Sequence, residues 1–210
     1  MSHPKLPSLS QIVGNSDVSD ERNALTSALS TLFEPSPILL TKLVPELHPK
    51  LHQPSERPTP LTYNSLIDFA RDTISLWSIE DQASFVGAHP RIGEVSNLSA
   101  LSASEQAARA TPPEVLERLK VLNEAYERKF EGLRYITFVN GRSRKEVMQE
   151  MQEVLGVGNK TFGLEDIGKV KQGDEEYLTE CRRAVEDVAK IAKSRLSALG
   201  VDGDVAFLEA

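Results

Sequence analysis

His89-Pro90-Arg91-Ile92-Gly93 and, a few residues on, Ser102-Ala103-Ser104-Glu105-Gln106 collect an imidazole, a hydroxyl, a carboxylate and an amide in one short stretch. An imidazole, with an unperturbed pKa of about 6.5, suits proton transfer near neutral pH. The proline after His89 biases that residue toward extended backbone, so the histidine closes a preceding element instead of lying inside one. Ser102 and Glu105 have the S-x-x-E spacing of a capping box, which predicts a helix start. Glu105 then serves as a cap partner, as a site group, or as both, because backbone N–H groups at a helix start favour anionic or carbonyl-rich ligands. Gln106 reads either as a solvated helix residue or as an amide contact. Arg195 is the remaining candidate. It falls within an apolar stripe marked by Val188, Ala192 and Leu199. A charge there must snorkel to solvent, bridge a carboxylate or meet a ligand.

The elements that must position these groups are helical. Ala24, Leu25, Ala28, Leu29, Leu32 and Phe33 predict one helix face, entered at Ser19 or Asp20 and stopped by Pro35 and Pro37. Residues 44–60 hold five prolines and two histidines, which predicts an irregular connection. Tyr63 to Trp77 repeats the helical period. Ser78 with Asp81 predicts a capped short helix ending at Gly87, with His89 just beyond it. Thr111-Pro112-Pro113-Glu114 predicts another start, with Thr111 as the cap and Val115, Leu119, Leu122 and Tyr126 along one stripe. Arg134 to Val139 is β-branched and aromatic, closed by Asn140-Gly141, and predicts one short extended segment. Its backbone polar groups need partners from elsewhere, some of which a bound polar ligand would supply. Ser143 with Glu146 caps a helix that Gly156 stops, residues 156–175 form a long polar loop, and a last helix runs from about Asp174 to Leu199. The pattern is that of an all-α bundle. Cys181 faces inward with Val185 and Val188 and reads as core, and Arg142, just after Asn-Gly, as turn surface.

Composition narrows the function classes. The chain has 210 residues, 40% hydrophobic content and a formal net charge of -7, with the acidic residues dispersed. It can bury a core, and its charge argues against nucleic acid or an anionic membrane as partner. No apolar run approaches the roughly 20 residues that span a bilayer. The one cysteine fits a reducing compartment. The N-terminal residues lack a secretory apolar core and the C-terminal ones a Ser-Lys-Leu peroxisomal address, so a cytoplasmic location is expected. His3, His48 and His52 read as structural. His48 and His52 flank a proline in the predicted connection, and no metal site is expected.

Five motifs in order carry a family likeness: Phe33-Glu34-Pro35-Ser36-Pro37, the His89-Pro90 and Ser102-x-x-Glu105-Gln106 pair, Tyr126-Glu127-Arg128-Lys129-Phe130, Tyr135-Ile136-Thr137-Phe138-Val139, and Lys190-Ile191-Ala192-Lys193-Ser194-Arg195-Leu196. From about Leu25 to Leu199 the chain resembles the urate-degradation decarboxylases that act on 2-oxo-4-hydroxy-4-carboxy-5-ureidoimidazoline (OHCU). The resemblance implies a single OHCU decarboxylase-like domain over residues 1–210, an all-α bundle with one extended segment, and peripheral stretches at 1–18 and 201–210. It implies cofactor-free conversion of the ureidoimidazoline to (S)-allantoin, a small-molecule substrate as partner, and a homodimer as the common assembly. His89, Glu105 and Arg195 would be catalytic; Pro90, Ser102, Gln106, Tyr135, Ile136, Thr137, Phe138 and Val139 would bind substrate. The chain departs from the family pattern at Glu131-Gly132-Leu133-Arg134-Tyr135, where Gly-Phe-Pro-Phe is common, at Arg91, where an acidic residue is common, and at Ile38, where an aromatic often follows Ser-Pro. The alternative readings are an inactive helical interaction protein and a decarboxylase or hydrolase of another ureide.

Overall fold

The computed structural model describes residues 5–14, 23–94, 101, 103 and 111–207. Among them eight α-helices follow in order: α1 Leu9–Gly14, α2 Ala24–Phe33, α3 Val44–His52, α4 Tyr63–Ser75, α5 Ile79–Gly87, α6 Pro113–Lys129, α7 Arg144–Leu155 and α8 Glu175–Ala198. No strand occurs among the described residues, and the fold is all-α. α8 is the central element, and α2, α4 and α5 pack against it while α6 pairs with α7. Its buried face runs through Tyr177, Cys181, Ala184, Val185, Val188, Ala192 and Leu196, an apolar stripe at the spacing that a helix needs to cover a core.

Helix ends follow local chemistry. Asn23 caps α2 by accepting from Leu25 N at 2.9 Å, and the residues predicted as its entry, Ser19 and Asp20, lie outside the described residues. Thr62 and Ser65 form a capping box on α4, and Ser143 and Glu146 form the predicted one on α7. Ser78 Oγ accepts from Asp81 N at 3.3 Å and α5 ends at Gly87, as the pattern predicts. At α6 the cap is Pro112, not Thr111. The Thr111 hydroxyl instead accepts a 2.6 Å hydrogen bond from Arg144 Nη1.

The larger difference is at 44–60. Leu39–Leu43 forms a π-helical turn that continues into α3, with Pro45 in the first turn and Pro49 inside the helix. Leu39, Leu43, Leu47 and Leu51 recur every four residues, and all are fully buried. A proline in a helix interior costs about 3 kcal/mol, whereas burying each leucine contributes about 1.5–3 kcal/mol. Four buried leucines outweigh the proline. The signal was present in the leucine period, under the proline count. His48 and His52 thus lie one turn apart on α3 with ring centroids 4.2 Å apart, and His52 Nδ1 donates to the His48 carbonyl at 2.8 Å.

The terminal stretches pack on the helices. Ile12 of α1 is buried, and Tyr63 OH donates to the Pro7 carbonyl at 2.5 Å. Phe207 N and Asn64 N pair with the carbonyls of Leu61 and Gly203 at 2.7 and 2.9 Å. No helix among the described residues is long and apolar enough to cross a membrane.

Candidate functional site

The end of α5 delivers His89. Its N–H reaches back to the Val86 carbonyl at 3.1 Å, and its ring meets Phe85 edge-on with centroids 5.5 Å apart. Nδ1 lies 3.2 Å from the Phe85 carbonyl. A carbonyl only accepts, so the proton sits on Nδ1 and the neutral ring carries its lone pair on Nε2. His89 is 3% exposed. Burial, and then the nearby Arg195 charge, push its pKa down to about 4, against the opposing influence of Glu34. At neutral pH His89 is therefore an uncharged base and not an imidazolium.

Arg195 arrives from the last turns of α8 and is buried. Nη2 meets Glu34 Oε1 at 2.6 Å and Nη1 donates to the Leu32 carbonyl at 3.1 Å. Of the three fates open to an arginine in an apolar stripe, the structure gives it a carboxylate. Glu34 had appeared in the sequence only as part of a motif, yet it is a site residue. It is buried, follows α2 directly, and has φ of 67°, a left-handed backbone that costs a non-glycine residue of order 1 kcal/mol. Pro35 stops the helix, and the turn aims the Glu34 carboxylate inward. The sequence signal was an acidic residue between an apolar helix end and a proline.

The loop after His89 is pinned on three sides. Arg91 makes a two-point contact with Glu127 of α6, at 2.7 and 2.6 Å. This pair accounts for the basic residue at position 91, which departs from the family pattern. Asn123 Nδ2 donates to the Ile92 carbonyl at 3.0 Å. Arg134 Nη1 donates to the His89 carbonyl at 2.6 Å. Behind it, Gly132 turns the chain with φ of 93°, and a Cβ on Gly87 would stand 3.3 Å from the Gly132 carbonyl. The absence of that Cβ lets the end of α5 and the start of the extended segment approach closely.

Residues 133–139, the segment predicted as extended, belong to neither a helix nor a ladder, and several of their polar groups are served by arginines and a carboxylate. Arg183 of α8 donates to the Ile136 carbonyl at 2.7 Å and lies over the Tyr135 ring at 5.2 Å. Asp187 accepts from Phe138 N at 3.3 Å. Arg142 folds back, donating to the Phe138 and Val139 carbonyls and the Thr137 hydroxyl at 2.6, 3.0 and 2.9 Å, so it is a clamp and not a turn-surface residue. These bonds take part of what a ligand was expected to supply. Tyr135, Ile136 and Thr137 are buried. Among the described residues the N–H groups of Ile136 and Thr137 have no acceptor, and the Tyr135 hydroxyl has no hydrogen-bond partner within bonding geometry. Buried backbone donors of this kind are rare and call for a partner.

The structure thus sets His89 within electrostatic reach of Arg195 and Glu34 and ties it, through Arg134, to the 133–139 segment. Ser102, Glu105 and Gln106 lie outside the described residues. Cys181 is core, as its spacing predicts, and burial raises its thiol pKa to about 11. Among the described residues no three His, Cys, Asp or Glu side chains gather as a metal site would require.

No curated protein matches the chain, and no solved structure does. A family model does: that of the OHCU decarboxylases covers residues 19–197, from before α2 to the last turn of α8, including His89 and the Glu34–Arg195 pair. The family implies a decarboxylase with a small-molecule substrate and a role in urate degradation. By that match over most of its length, this chain belongs to the OHCU decarboxylase family.

Proposed function

We propose that this chain decarboxylates 2-oxo-4-hydroxy-4-carboxy-5-ureidoimidazoline to (S)-allantoin without a cofactor. The observation that carries the reading is the buried, neutral His89, held in one tautomer by the Phe85 carbonyl and set beside the Glu34–Arg195 pair. Loss of CO2 leaves an electron pair on the ring carbon that bore the carboxylate. The adjacent carbon–nitrogen double bond accepts it, and its nitrogen takes a proton from solvent, giving an enol-like intermediate. The hydroxyl then becomes a carbonyl and the neighbouring carbon takes a proton on one face. His89 Nε2 has the character for this transfer: as a neutral base it accepts the hydroxyl proton, and as an imidazolium in an environment that disfavours its charge it gives the proton up readily.

Arg195 is assigned to orienting the leaving carboxylate, with Glu34 holding the guanidinium in place. Glu105 is assigned to orienting the imidazole or accepting from ring N–H groups. Pro90, Ser102, Gln106 and the Tyr135–Val139 segment form the binding wall; the Ile136 and Thr137 amides offer donors suited to the carbonyls of a cyclic ureide.

Substrate generated freshly from urate by urate oxidase and hydroxyisourate hydrolase tests this directly, with circular dichroism following the allantoin formed. The expected result is a fast, saturable rise of the S enantiomer. In folded His89→Asn the rate should fall by about 10²–10⁴-fold, and Arg195→Ala should also be inactive. Racemic product at the spontaneous rate from folded wild-type protein would overturn the proposal.

A further inference from the structure

The charges around His89 are unequally matched. Arg91 faces Glu127 at 2.6 Å, Arg183 faces Glu180 at 2.6 Å, and Arg195 faces Glu34 at 2.6 Å. Arg142 is paired with Glu150. Arg134 differs. It is partly buried, its one recorded hydrogen bond runs to the neutral His89 carbonyl at 2.6 Å, and no carboxylate meets it among the described residues. A carbonyl satisfies one of five guanidinium N–H donors and leaves the positive charge without a carboxylate among the described residues. That charge spans the His89–Pro90 turn and the head of the extended segment, where the buried Ile136 and Thr137 amides also have no acceptor among the described residues. A guanidinium with no carboxylate among the described residues, followed two and three residues along the same segment by amides with no acceptor there, suits an anionic ring ureide. The buried Glu34–Arg195 pair, neutral as a unit, contributes much less net attraction for an anion.

The geometry points to Arg134 as a second residue that reads the substrate's negative charge: Arg195 orients the carboxylate for its loss, and Arg134 selects a carboxylate-bearing ring over its uncharged counterpart. This rests on the decarboxylase reading above and assigns the anion recognition within it. It has a kinetic corollary. Allantoin carries no carboxylate, so Arg134 does not hold the product once the ring carbon has taken its proton.

The test compares wild-type protein with Arg134→Gln and Arg134→Lys. Calorimetry measures binding of orotate, a stable ring ureide with a carboxylate, and of uracil, the same ring without it. Charge-assisted contacts of this kind are worth about tenfold or more in affinity. Wild type should prefer orotate by at least about tenfold, Arg134→Gln should lose the preference, and Arg134→Lys should keep most of it. In turnover, Arg134→Gln should raise KM by about tenfold with kcat within about threefold. No preference in wild type, or an undiminished preference in folded Arg134→Gln, overturns the assignment. So does a fall in kcat at unchanged KM, which would make Arg134 a prop for the His89 carbonyl alone. Absence of turnover in wild type would count against the decarboxylase reading only, because the orotate–uracil comparison does not depend on turnover.

Discussion

Two arginines of α8 show how differently one helix uses the same side chain. Arg183 sits among its own helical neighbours, paired with Glu180 at 2.6 Å and Asp187 at 3.1 Å, with Lys190 also on Asp187 at 2.8 Å. Tyr126 OH donates to Glu180 at 2.6 Å, joining α6 to the same cluster. Its carboxylates hold the guanidinium firmly protonated against the opposing effect of burial. Its side chain keeps 30% exposure, so solvent shares the charge. Arg195 keeps 2%, and its described carboxylate partner, Glu34, is 161 residues away in sequence. The first cluster clamps the extended segment through the Ile136 carbonyl and the Phe138 amide. The second sets the charge beside a base. A local, half-wet network holds the 133–139 segment, and a remote, dry pair stands near His89.

Breaking the dry pair should have the largest effect. Removing one member of a buried ion pair strands the other charge and costs about 3–5 kcal/mol. Glu34→Ala should lose that much stability in urea unfolding, and its decarboxylation should disappear with it. Glu34→Gln with Arg195→Met should be less destabilised than the sum of the two single variants, since neither charge is then left alone. Simple additivity in that cycle would mean the two side chains do not depend on each other, and the comparison would fail.

Next comes the pH response that the dry site imposes on His89. Its folded pKa of about 4 lies below the ordinary 6.5, so between those values the unfolded chain takes up a proton that the native protein refuses. Stability should therefore fall as pH drops from 6.5 to about 4, by roughly 3 kcal/mol for this group. Unfolding free energies measured at pH 7 and pH 4 for wild type and His89→Asn isolate it: the wild type should lose more by that amount. Equal losses would place His89 in contact with water. The wet cluster should give the smallest change. Arg183→Gln leaves the buried Glu180 with the Tyr126 hydroxyl and the buried Asp187 with Lys190, so a loss of about 1–2 kcal/mol is expected. Amide hydrogen exchange at Phe138 should nevertheless speed up, because the clamp on its segment is weakened.

Legibility divides along the same line. The Arg183 cluster is written at i, i+3 and i, i+4 spacing and needs no fold to be read. The stripes Val115-Leu119-Leu122-Tyr126 and Val185-Val188-Ala192 and the Ser78 and Ser143 caps are likewise local, and they appear where the pattern puts them. Local reading failed at α3, where prolines outvoted a four-residue leucine period, and at Thr111, whose hydroxyl found Arg144 instead of a helix end. In both cases contacts between distant residues set the outcome. Arg134 was visible in the sequence only as a departure from a family pattern, and its bond to the His89 carbonyl gives that departure a physical meaning.

From the residues alone came the all-α class, most helix boundaries, a break in the helical pattern at 134–139, and His89 and Arg195 as candidates, because these follow from spacing, capping and the type of each side chain. Tertiary structure decided the state of those candidates. It made His89 a neutral base by burying it and fixing Nδ1 on the Phe85 carbonyl, and it gave Arg195 the Glu34 carboxylate. It also left Arg134 with a carbonyl where its neighbours have carboxylates. Charge state and pairing depend on desolvation and on which distant groups come within a few ångströms, and neither quantity exists until the chain has folded.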